Sequence, residues 1–126
     1  MIGARFSRDR SGATATEFAL TVPVFIALVL GIVDGALMLW TQLGLQHGAE
    51  MAARCASIGA TTCNTDDKTK TYAAQQAYGL GVTSSVYSVS AASCGKTVTA
   101  SYTYTFVFSQ YFGVSNVSLS ARSCFP

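Results

Sequence analysis

Arg10-Ser11-Gly12-Ala13-Thr14-Ala15-Thr16-Glu17-Phe18 runs straight into an almost unbroken apolar segment that ends at Trp40. As a helix, residues 18–40 rise about 1.5 Å each and span roughly 35 Å, enough for a tilted bilayer crossing. Glu17 stands at the entrance to that span, where a carboxylate is costly and tends to be functional. Pro23 removes one helix hydrogen bond, to the Ala19 carbonyl, and is expected to kink or loosen the helix there. Asp34 interrupts the apolar run between Gly31 and Gly35, and is expected to pack or pair rather than face lipid. Gly31/Gly35 and Gly44/Gly48 are small-xxx-small pairs of the kind that let another helix approach closely. Trp40 suits the far membrane interface. A cleaved secretory signal fits less well, because the apolar run is too long and no A-x-A site follows it.

The rest of the composition agrees with this layout. The chain has 126 residues, of which 50% are hydrophobic and 11% charged, with a formal charge of +2. A soluble domain carries about 25% charged residues, and the deficit lies mainly in the N-terminal third. Arg5, Arg8 and Arg10 precede Gly12 with only Asp9 against them, while the charges from Ala13 onward balance. The basic excess therefore belongs to residues 1–12, which the positive-inside rule keeps cytoplasmic. No basic face for nucleic acid is present.

Beyond Trp40 the helix is expected to run to about Ile58. Leu45, Ala49, Ala52 and Ala56 recur on one face; Gln46, Glu50 and Arg54 lie on another, with Glu50 and Arg54 spaced as an ion pair. Gly59 ends it. Thr65 or Asp66 caps a second helix over 66–80, stopped by Gly79 and Gly81. The last third alternates with period two: Tyr87, Val89 and Ala91; then Val98 to Phe108 within Thr97–Phe108; then Val117, Leu119 and Ala121. The expected class is α+β: a long N-terminal helix (13–58, membrane part about 18–40) and an extracytoplasmic head (59–126) made of a short helix and a three-stranded antiparallel meander.

Cys55, Cys63, Cys94 and Cys124 all follow the apolar segment. An even count in a small domain beyond a membrane reads as two disulfides. Of three pairings, Cys55–Cys63 and Cys94–Cys124 are expected. The first closes the loop after the long helix. The second follows if the strand from Thr97 pairs antiparallel with the strand ending at Cys124.

The block from Arg10 to Phe18, with Gly31-Ile-Val-Asp34-Gly35 and the alanine-rich Gln46–Arg54, resembles TadE-like minor pilins or pseudopilins of the bacterial tight-adherence (Tad) pilus system. Only the N-terminal block is specific, and the sister TadF-like subgroup fits equally. The resemblance implies removal of residues 1–12 by a prepilin peptidase, cutting between Gly12 and Ala13, so that Glu17 and Phe18 take the fifth and sixth mature positions. It implies other pilins and pseudopilins, the inner-membrane Tad assembly platform and membrane lipid as partners. It places the chain in the bacterial inner membrane, single-pass, with an extracytoplasmic C-terminus, and in the pilus after assembly. The rival reading is an uncleaved single-pass membrane protein with a small binding or adhesin-like head.

Enzyme chemistry finds no support. His47 lacks a partner cluster and is expected to be an exposed helix residue. No zinc spacing, calcium loop, phosphate loop or nucleophile elbow occurs, so no catalytic residue, metal or cofactor is expected. Tyr111 and Phe112 fall in an expected turn, where they are free to touch a partner.

Overall fold

A computed structural model describes residues 10–126. Arg5, Arg8 and Asp9 of the expected leader lie outside the described residues. The elements run α1 (Arg10–Ser57), a 3-10 turn (Thr61–Cys63), α2 (Asp66–Gln75), a 3-10 turn (Ser84–Val86), β1 (Tyr87–Ala92), β2 (Gly95–Tyr104), the four-residue α3 (Ser109–Phe112) and β3 (Val117–Phe125). The chain divides into two units, residues up to Gly35 and residues from Ala36.

In the first unit α1 already includes Arg10–Gly12, ahead of the expected start at Ala13. Nothing in Arg10-Ser-Gly-Ala breaks a helix outright, and the Thr14 hydroxyl donates back to the Arg10 carbonyl at 3.2 Å. Pro23 sits inside α1. Large apolar side chains such as Phe18, Leu20, Phe25 and Ile32 are exposed. Asp34 is the exception: it is only 5% exposed, and it is partnered.

In the second unit the core forms where the alanine-rich face of α1 meets the sheet. Leu45, Ala49, Ala52 and Ala53 pack with Ala73 of α2 and with Tyr87, Val98, Ala100, Leu119 and Ala121. The sheet is a β1-β2-β3 meander. Val89 faces Val98 across the first ladder, and Ala100 faces Ala121 across the second. Thr97 faces Cys124, the register that brings Cys94 to its partner. Both expected disulfides form, Cys55–Cys63 with Cα atoms 5.8 Å apart and Cys94–Cys124 at 6.2 Å.

Gly59, at φ +66°, ends α1 in the left-handed conformation that suits glycine. The Thr65 side chain caps α2 by accepting from Lys68 N at 3.4 Å. α2 stops at Gln75, short of the expected residue 80. Gln76 N–H closes the last turn onto the Tyr72 carbonyl at 3.0 Å, and Tyr78 and Gly79 then both adopt positive φ. β2 ends at Tyr104 rather than Phe108, because its partner begins only at Val117. Phe106 instead stands edge-on to the Tyr104 ring, centroids 5.3 Å apart. The expected Glu50–Arg54 ion pair does not form among the described residues; Glu50 accepts from Gln46 Nε2 at 2.8 Å. Two glutamines of α1 also clasp the outer edge of β3. Gln42 Nε2 donates to the Ser120 carbonyl at 2.8 Å and Gln46 Nε2 to the Arg122 carbonyl at 3.4 Å.

Candidate functional site

The first turns of α1 carry the residues singled out in the sequence. Gly12 has open space where a side chain would be, so its backbone is approachable from outside. Its carbonyl accepts from the Thr16 hydroxyl at 2.9 Å, and the Gly12–Ala13 peptide is helical. Glu17 lies five residues on, about 7.5 Å along the axis and roughly 140° around it. Its side chain is exposed. Among the described residues the ion pair is Lys70–Asp67, so no cation of the described residues pairs with Glu17. Phe18 beside it is 71% exposed. The result is a strip of apolar helix surface carrying a single exposed carboxylate one and a half turns after a bare glycine.

The two glycine pairs prove unlike. Gly31 and Gly35 have nothing within 4 Å of a built side-chain atom. Gly44 and Gly48, by contrast, are filled from within the head. A side-chain atom built at Gly44 would lie 2.6 Å from Leu80 Cδ1 and 3.0 Å from the Ala77 carbonyl; one built at Gly48 would lie 2.6 Å from the Ala73 carbonyl and would collide with the Tyr87 hydroxyl. That hydroxyl donates to the Leu45 carbonyl at 3.5 Å. Burial pushes its pKa up from 10.0 to about 12, since the phenolate would lose its hydration there. Gly44 and Gly48 therefore serve the fold of the chain itself.

A second cluster was not legible in the sequence. Tyr78 stacks on His47 with ring centroids 4.4 Å apart and meets Trp40 at 5.7 Å. His47 Nδ1 lies 2.8 Å from the Gln76 carbonyl. The expectation of an exposed His47 is thus corrected: it is half-buried and packed. Tyr78 holds φ 49°, a backbone conformation that costs an L-residue about 1–2 kcal/mol. Only the run of glycines around it hinted at a sharp reversal. Among the described residues no group of acidic, histidine or cysteine side chains converges as a metal site, and α1 is long and apolar enough to cross a membrane.

The family model described as TadE-like protein matches residues 12–54.

This TadE-like segment covers about a third of the chain, from the bare glycine through the alanine-rich face that packs against the sheet. Over that segment the chain is similar to TadE-like proteins, which suggests a Tad pilus-associated, pilin-like role. No curated protein and no solved structure matches the chain.

Proposed function

We propose that this chain is a minor pilin or pseudopilin, a structural part of the Tad pilus or of its assembly. A prepilin peptidase cuts between Gly12 and Ala13. The mature chain then sits in the bacterial inner membrane through residues 18–40, with the head outside the cytoplasm. The observation that carries this reading is the exposed Glu17 on an otherwise apolar helix surface, five residues past Gly12, inside the TadE-like segment. Cleavage creates a free amine on Ala13. In a bundle of such helices, Glu17 of one subunit neutralises the Ala13 amine of a neighbour, and neither charge is then buried alone. Pro23 loosens the helix beside this contact, and the open Gly31/Gly35 face admits a neighbouring helix.

The mature mass tests the reading. In cells carrying the peptidase the N-terminus should be Ala13, and Gly12→Val should abolish that cut by placing a branched side chain where the enzyme must approach the backbone. An unchanged mature mass for Gly12→Val would contradict it. The helical Gly12–Ala13 peptide favours one rival, the uncleaved single-pass protein, since a protease needs extended backbone. An intact residue 1–12 segment in those same cells would establish that rival.

A further inference from the structure

We infer that the segment between β2 and β3, with α3 at its centre, is a membrane-docking loop that seats in the lipid interface on the side of the head where the chain enters the bilayer. The inference rests on the reading of residues 18–40 as a membrane span, and its argument uses only contacts within the second unit.

The glutamine clasp fixes direction. Gln42 meets Ser120 and Gln46 meets Arg122. Four helical residues rise about 6 Å and two strand residues about 6.6 Å, so β3 and α1 run side by side and parallel. Going back from Ser120 to Val117 covers roughly 10 Å of strand. The same distance along α1 leads from Gln42 to about Ala36, at about 1.5 Å per residue. The turn before Val117 therefore lies at the end of the head where α1 continues, by sequence, into the apolar stretch. β2 agrees, because Tyr104 pairs with Val117 at that end and Lys96 pairs with Phe125 at the other.

This turn is built of side chains that a water-facing loop avoids. Tyr111 is 83% exposed, and Val107, Phe112 and Val114 are exposed with it. At the same end, Trp40 and Tyr78 are 54% and 50% exposed and touch one another. Aromatic rings with a polar edge are the side chains that favour the headgroup layer.

Charge is sorted along the same axis. No Asp, Glu, Lys or Arg occurs in 36–49, 71–95 or 97–121. Glu50 and Arg54 lie further along α1. The charges of α2 sit at its start, beyond Ala73, whose carbonyl faces Gly48. Lys96 is at the far end of β2, and Arg122 is level with Gln46. One end of the head is thus uncharged, apolar and aromatic, and every formal charge lies from the level of Gln46 onward. A bilayer entered from one end supplies a cause for this axial sorting.

Fluorescence in phosphatidylcholine vesicles tests the inference with the full chain. Trp40 is the single tryptophan and serves as the native interfacial reporter. In a Trp40→Phe background, Tyr111→Trp and, separately, Val114→Trp report on the loop, Leu28→Trp on the span and Ser90→Trp on the far end of the head. The loop reporters should be quenched by lipids brominated in the upper acyl chain as strongly as native Trp40, and shielded from aqueous iodide. Ser90→Trp should show the reverse. Loop reporters open to iodide while Leu28→Trp is quenched by deeply brominated lipid would overturn the docking loop and leave the span standing. Shielding that disappears when protein is diluted at constant lipid would also overturn it, by assigning the loop to a subunit contact. If Leu28→Trp itself escapes lipid quenching, the span and the loop fall together.

Discussion

Gly48→Ala is the sharpest probe of how the head is closed. A methyl group there would meet the Ala73 carbonyl at 2.6 Å, the Tyr87 hydroxyl and Tyr87 Cζ at 3.1 Å. One of these is backbone of α2 and the others belong to a buried ring, so neither side yields without moving an element. Helix propensity pulls the other way, favouring alanine by about 1 kcal/mol. Overpacking of a closed site costs about 1–3 kcal/mol, and displacing the Tyr87 hydroxyl from Leu45 adds about 0.5 kcal/mol or more. The expected balance is a loss of about 1–2 kcal/mol, or a Tm lower by roughly 4–16 °C for a domain of this size. Thermal unfolding of the detergent-solubilised chain, followed by near-ultraviolet circular dichroism, reads it directly. Adding Tyr87→Phe should recover part of the loss by removing the hydroxyl, but not all of it, because the Ala73 carbonyl stays. Gly31→Ala, with open space around it, should leave Tm unchanged or raise it while impairing assembly. A Gly48→Ala chain as stable as the parent would refute the closure argument, since propensity would then be the only force acting.

Other outcomes follow from the same contacts. Cys124→Ser should destabilise the head more than Cys63→Ser. The bridges close separations of 30 and 8 residues, worth about 3.5 and 2.5 kcal/mol in the chain-entropy picture; chemical unfolding of each variant compares them. Tyr87 contributes alkaline sensitivity. Its folded-state pKa is raised above 10.0 to about 12, so its contribution is intact below pH 10 and is lost as pH climbs through about 12. Urea midpoints measured across that range should fall for the parent and flatten for Tyr87→Phe. Glu17→Ala should insert normally, being more apolar, yet fail to co-purify with other pilins; Glu17→Asp keeps the charge but shortens its reach and should lie between. Normal pilus output from Glu17→Ala would remove the proposed amine partner.

Much of the fold is legible in the residues because single periods dominate long stretches. The alanine-rich face of α1 and the alternating Val98, Ala100 and Tyr104 name their own burial, and strand register alone pairs Cys94 with Cys124. Legibility fails where one pattern serves two structures. Ala77 and Leu80 keep helical spacing after Gln75, but Ala77 is buried from a turn, with its carbonyl against Gly44. Phe106 continues the strand alternation while packing as a turn residue against Tyr104. Gly31/Gly35 and Gly44/Gly48 read identically in sequence, and only the path of α2 and the reach of Tyr87 tell them apart. The N-terminal motif is legible as chemistry for a reason of its own: a carboxylate on an apolar helix calls for a partner. The Tyr78 stack has no such local signal, since it depends on a left-handed tyrosine that sequence rules disfavour.

The glutamine clasp on β3 has a consequence for life in a crowded bilayer. A sheet edge is an invitation to any passing strand, and molecules confined to a membrane meet in the same orientation at high local density. With the Ser120 and Arg122 carbonyls already occupied by Gln42 and Gln46, two acceptors in the middle of this edge are no longer on offer to a second head. Subunits waiting side by side before assembly then find the middle of the β3 edge harder to extend with a strand of their own.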